Sequence, residues 1–117
     1  MLESLKSQGQ DLLTLETLPE TAAVEISIVE CDPDQAENYH RLRVTMLPLL
    51  KKQDGFLAWR AFQSNDRPGV MLDILYWEDS DFCKQAGEKL QQSEAAKEFF
   101  ALMKQTLIFE MFRRQPL

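Results

Sequence analysis

The sequence is poor in the residue types that announce chemistry. It contains one histidine, His40, and two cysteines, Cys31 and Cys83, so neither a disulfide framework nor a thiolate–imidazole metal site can be assembled at the usual spacings. Only four glycines are present, and none belongs to a phosphate-cradling loop. Serine and cysteine nucleophile motifs are absent. No cofactor and no metal is therefore expected. Cationic runs are missing as well. Thirteen basic against nineteen acidic side chains give a net charge of -6, and the largest basic clusters are Lys51-Lys52 and Arg113-Arg114, so nucleic acid and anionic membranes are excluded as expected partners. No window approaches the ~20 consecutive apolar residues of a membrane helix. The first 18 residues carry Glu3, Asp11 and Glu16 without a basic start, which does not read as a secretory signal. The expected setting is reducing and cytoplasmic, with both thiols free.

What is present is patterning. At 117 residues the chain has one domain's worth of length and can bury a core without staples. Residues 1–21 scatter leucines among polar residues without a period, and we read them as an N-terminal arm, partly ordered at best; residues 22–117 form the domain. Val24, Ile26 and Ile28 alternate with Glu25 and Ser27, the period-2 mark of a strand. After Asp32-Pro33-Asp34, Tyr39, Leu42, Met46 and Leu49 or Leu50 recur at steps of three and four, which predicts an amphipathic helix with Pro48 near its end. Asp54-Gly55 marks a turn before a strand over 56–63. Residues 65–69 turn the chain back into a strand over 70–77. Asp79 or Ser80 caps a second helical region carrying Phe82, Cys83, Ala86 and Leu90, with a fresh cap at Ser93. Residues 106–112 make the fourth strand.

The order is strand, helix, strand, strand, helix, strand. It predicts an α+β, ferredoxin-like βαββαβ plan, a four-stranded antiparallel sheet with its helices on one face. The middle strands are apolar on both sides: Phe56, Ala58 and Phe62 back Leu57, Trp59 and Ala61, and Val70, Leu72, Ile74 and Tyr76 back Met71, Leu75 and Trp77. Helices cover one face only. The other would expose several hundred Å² of apolar surface, more than soluble monomers usually show, so a second copy of the sheet is expected to cover it, giving a homodimer.

These elements, with Asp54-Gly55-Phe56-Leu57 before the second strand, Asp73-Ile74-Leu75-Tyr76-Trp77-Glu78 in the third, and the helical Phe99-Phe100, resemble the dimeric α/β-barrel superfamily. That group includes antibiotic-biosynthesis monooxygenases, haem-degrading monooxygenases and members without an established reaction. The resemblance spans about residues 23–114. It implies two ferredoxin-like protomers joined as a dimeric α/β barrel, and a small apolar ligand between the sheet and helices of each. Trp77 matches the tryptophan that ends the third strand in many members. The haem-degrading branch also uses an asparagine on the first strand and a histidine on the second helix. Neither is present here, which disfavours haem chemistry and points to the branch without an established reaction.

Two residues are candidate bases. Asp73 interrupts an apolar strand, which costs several kcal/mol unless the carboxylate is paired or faces a wet cavity; strand alternation places it with Met71, Leu75 and Trp77. Its functional reading is a perturbed general base in a polar pocket. Its structural reading is an ion pair at the sheet interface, with Asp73 or Glu110 meeting Arg60. His40 sits at the border of the first helix's apolar stripe, as a base or as an edge residue. Trp59, Tyr76 and Trp77 are the candidate substrate-binding residues: they can line a slot for a planar aromatic molecule or act simply as core. A cofactor-independent monooxygenase needs such a slot, because its delocalised substrate carbanion must itself reduce dioxygen. The alternative is a non-enzymatic ligand-binding or stress-related dimer. Cys83 is expected to be buried and inert, and Cys31 the more exposed thiol.

Overall fold

The computed structural model describes residues 18–117; the greater part of the expected N-terminal arm lies outside them. Strand β1 (Ala23–Glu30) leads through a short 3-10 turn (Pro33–Gln35) into helix α1 (Ala36–Lys51). Pro33 opens that turn at its first helical position, where a missing N–H is no loss. Strands β2 (Phe56–Gln63) and β3 (Val70–Trp77) form the hairpin. The second helical region divides at Ser93 into α2 (Ser80–Leu90) and α3 (Glu94–Ala101), and β4 (Gln105–Arg113) completes the sheet. Asp79 caps α2 by accepting from the Phe82 N–H, and Ser93 caps α3 by accepting from the Ala96 N–H. The amide of Ser93 in turn reaches the Leu90 carbonyl, so the break costs few hydrogen bonds.

The four strands lie in the order β2-β3-β1-β4, all antiparallel. This is the α+β, ferredoxin-like arrangement expected from the element order. Tyr39, Leu42, Met46 and Leu50 of α1 form its buried stripe, as the spacing predicts, and the helix runs through Pro48. Gly55 turns the chain into β2 at φ 79°, and a Cβ there would lie 2.3 Å from the Phe82 ring. Both the backbone angle and the close approach require glycine.

The register corrects the sequence reading in one place. A bulge at Leu57 lets Phe56 and Ala58 oppose adjacent residues Trp77 and Tyr76, so Phe56 shares the helix-facing side with Trp59 rather than the opposite side with Phe62. Its ring meets Trp77 edge-on, centroids 5.5 Å apart. A second bulge lies between Ile28 and Val29 against β4.

The faces themselves are the less expected result. In β1 the apolar set Val24, Ile26 and Ile28 lies on the open side of the sheet, whereas Glu25 and Ser27 point under the helices, in register with Leu75 and Asp73 of β3. The open side also carries Leu72, Ile74, Tyr76, Phe62, Ile108 and Phe112. Phe62, Ile108 and Phe112 are each at least two-fifths exposed. Glu110 lies on this side too, but on an edge strand three strands from Arg60, roughly 14 Å away, so the two do not meet within one chain.

Candidate functional site

A cavity of about 350 Å³ lies between the helix-facing side of the sheet and the three helices. Its floor is built from buried residues of four elements: Ser27 of β1, Met46 and Leu50 of α1, Asp73 and Trp77 of β3, and Cys83 and Ala86 of α2; Phe99 of α3 closes the wall. Lys84, Gly87, Gln91, Phe100 and Phe109 line it as exposed residues and make its mouth, between α2, α3 and β4. The lining is overwhelmingly apolar and aromatic, with a few polar groups converging inside, the usual make-up of a small-molecule site.

Asp73 is one of those groups, and it is fully engaged. Its Oδ1 accepts from Arg43 Nε at 2.7 Å and from Trp59 Nε1 at 2.9 Å; its Oδ2 accepts from Arg43 Nη2 and from the Tyr39 hydroxyl, each at 3.2 Å. Asp73 and Arg43 are 3% and 5% exposed. Four donors occupy the four acceptor positions of the carboxylate. Arg43 is satisfied in the same way: its Nη2 donates to the Phe62 carbonyl at 3.1 Å and its guanidinium stacks 4.8 Å from the Tyr39 ring. Burial, the Asp73 charge and the Arg43 charge act on the Tyr39 hydroxyl in that order, and the net effect pushes its pKa well above the ordinary phenol value. Tyr39 stays a neutral donor.

This network replaces the expected pairing of Asp73 with Arg60. Arg60 lies on the other side of the sheet and stacks over Tyr76, 5.7 Å from the ring centroid. The cation that Asp73 needs comes instead from α1. A sequence signal for it existed: Arg43 stands four residues after Tyr39, on the buried stripe, and the ferredoxin-like plan lays α1 across the sheet.

The second polar cluster lies toward α2. The Glu25 carboxyl is approached by the Trp77 indole N–H and the Cys83 thiol. Burial raises the pKa of Glu25, and these two donors offset the rise in part. Burial, followed by the neighbouring Glu25 charge, pushes the Cys83 thiol up to about 12, so it is a thiol and not a nucleophile at neutral pH. Trp77 is 2% exposed, and its Nε1 closes no hydrogen bond of normal geometry with any described residue; the approach to Glu25 falls short of one. Such a buried donor costs roughly 1–3 kcal/mol. Glu25 was legible in the sequence only as a polar interruption of β1. Its direction under the helices was not.

Of the candidate residues, the structure brings Asp73, Trp59 and Trp77 to one cavity. It separates the other two. Tyr76 faces the open side of the sheet, because it alternates with Leu75 and Trp77. His40 is exposed on α1, its Nδ1 3.4 Å from Arg43 Nη1, outside the cavity. Cys31 is 1% exposed, contrary to expectation, because it packs beneath α1 beside Tyr39. Among the described residues no group of three or more His, Cys, Asp or Glu side chains could hold a metal, and no helix is long and apolar enough to cross a membrane.

No protein-family model matches the chain, and no curated protein sequence matches it. Solved structures do. SnoaB, a cofactor-independent oxygenase from Streptomyces nogalater, superposes with a TM-score of 0.70 at 14% identity, covering 83% of this chain and 96% of SnoaB. A proposed antibiotic biosynthesis monooxygenase from Chloroflexus aurantiacus matches at 0.69 and 13% identity, covering 81% of this chain and 94% of its own. A conserved protein from Methanosarcina mazei matches at 0.66 and 18% identity, with coverages of 82% and 95%. At such identities the shared property is the path of the backbone. The chain shares its fold with SnoaB and with other antibiotic-biosynthesis-monooxygenase-like structures.

Proposed function

We propose that the protein is a monooxygenase-like enzyme without a tightly held cofactor, acting on a small aromatic or apolar molecule in the cavity beneath α1 and α2. The observation that carries this is the cavity itself, walled mainly by apolar side chains and open at its mouth between α2, α3 and β4, with two tryptophans and two carboxylates among its lining residues. A planar, electron-rich substrate held by Trp59 and Trp77 could pass an electron to dioxygen against mainly apolar walls. The fold shared with SnoaB supports the same reading.

In this reading Asp73 is a positioning residue. With every acceptor position filled, it fixes the Trp59 indole against the cavity and leaves proton transfer to another group. The saturation of Asp73 also favours a second reading, a dimer that binds a small ligand without transforming it. The assembly is a homodimer in both, because the open side of the sheet presents a largely apolar surface, interrupted by Arg60 and Glu110, that a second sheet can cover. A sedimentation mass equal to one chain at micromolar concentration would refute that part.

Planar aromatic compounds titrated against the protein should quench its tryptophan fluorescence, since both tryptophans line the cavity. An oxygen electrode then separates the two readings: dioxygen uptake on adding a bound hydroxyaromatic supports the enzyme, and binding without uptake supports the binding dimer. Failure of every planar aromatic compound to bind would overturn both.

A further inference from the structure

The middle of the open side of the sheet carries its charges in a single line. Arg60 of β2 stands opposite Ile74 of β3, Ile74 opposite Ile26 of β1, and Ile26 opposite Glu110 of β4. These four residues therefore form one row across all four strands and share one face. The rows on either side, which end in Ala58 and Phe112 and in Phe62 and Ile108, carry no charge. A cation ends the central row on one edge strand and an anion ends it on the other, equally far from its middle. Arg60 is half-buried, its guanidinium over the Tyr76 ring, and Glu110 is exposed.

We propose that the homodimer is built about a two-fold axis running along the strands, between β3 and β1, with Arg60 of each chain paired to the partner's Glu110. That axis turns the row end for end, so both pairs form together and the Ile74 and Ile26 side chains meet at the centre. Packed sheets lie about 10 Å apart, a gap that an arginine and a glutamate reaching from opposite sides can span. Other arrangements use the row less well. A two-fold axis running across the strands sets Arg60 against the partner's Arg60 and Glu110 against the partner's Glu110, like charges at both ends. Sheets crossed at about 90° bring the two rows together only at their middles and pair none of the four charges across the interface. Arg60 and Glu110 sit on edge strands, at the rim, where charge selects orientation more than it adds affinity. The apolar rows supply the adhesion.

This inference rests on the homodimer reading and adds which way round the second chain lies. The test is sedimentation equilibrium of the full chain as wild type, Arg60→Glu, Glu110→Arg and the double variant Arg60→Glu, Glu110→Arg, with circular dichroism to check folding. Each single variant should dimerise at least about a hundredfold more weakly than the wild type, since like charges then face each other at two symmetric places. The double variant exchanges the signs and should regain the wild-type affinity. Wild type and double variant, mixed and left to exchange subunits, should sort into homodimers in native mass spectrometry, because a mixed dimer sets like charges together at both ends. The axis across the strands requires the reverse, single variants as tight as the wild type and a mixed dimer that is preferred. Either of those results, or a folded double variant that regains nothing, overturns the pairing and leaves the homodimer standing. Should a single variant fail to fold, the mixing result decides, since it uses only chains whose two charges balance. A wild type that sediments as one chain overturns the homodimer reading and this inference with it.

Discussion

Replacing Arg43 with methionine tests the claim that one ion pair anchors the cavity wall. Methionine has nearly the volume and flexibility of the arginine stem, so the change removes charge and donors while leaving little void. Asp73 would keep Trp59 and Tyr39 as donors, 2.9 and 3.2 Å away, and lose the bonds of 2.7 and 3.2 Å from Arg43 together with the countercharge that Arg43 supplies. Each bond to a charged group contributes about 1.5–3 kcal/mol, and breaking a buried pair from one side typically costs about 3–5 kcal/mol because the remaining charge is stranded. With both partners at most 5% exposed, the expected loss falls in that range, a large share of a small domain's stability. The Phe62 carbonyl, which accepts from Arg43 at 3.1 Å, would lose its partner too. Urea unfolding at one fixed protein concentration measures the effect as a lower midpoint with an unchanged slope. The double variant Arg43→Met, Asp73→Leu is the control. Removing both partners relieves the stranded charge but leaves the Trp59 and Tyr39 donors without their acceptor, so it should recover only part of the loss. A loss below about 1 kcal/mol in the single variant would refute the reasoning.

Glu25→Gln should be more stable than the wild type at neutral pH. The folded-state pKa of Glu25 is raised above 4.5, chiefly by burial, so its contribution to folding is present below that pH and is lost as pH rises through the folded value. The gap between variant and wild type should therefore close in unfolding curves taken below pH about 4.5; a pH-independent gap would contradict the burial of that carboxyl. Neither thiol should react with an aromatic disulfide reagent at pH 8 in the native protein, because both are buried and both pKa values are raised; two should react in denaturant, and rapid native labelling of either would be inconsistent with the packing described. The glycines offer an opposed pair. Gly55→Ala should destabilise by at least about 1–3 kcal/mol, since it meets both a positive φ and the Phe82 ring, whereas Gly87→Ala, in an exposed turn of α2 where a Cβ meets nothing within 4 Å, should stabilise by about 0.5–1 kcal/mol. Thermal melts of the two variants should move in opposite directions.

The sequence by itself determined the element order, and through it the plan of the fold. Period-2 alternation in β1 and β3, the 3.6-residue stripe of α1 and the caps at Asp79 and Ser93 are local signals, written in neighbouring residues and readable without the rest of the chain. It also determined that Asp73 could not stand alone, since a carboxylate amid Met71, Leu75 and Trp77 has to have a partner. Which partner it has, and which side of the sheet faces a helix, only the tertiary structure decided. Alternation states that two sets of side chains lie on opposite faces, not which face is covered. In a sheet apolar on both sides the usual inference from polarity to solvent fails, and it fails here at Glu25 and Ser27, which point inward. The bulge at Leu57 defeats counting for Phe56 in the same way, because one extra residue reverses the facing of everything before it. Arg43, His40 and Tyr76 carry the same lesson. The packing of α1 over the sheet carries Arg43 to Asp73 and leaves His40 exposed, and the facing of β3 turns Tyr76 to the open side.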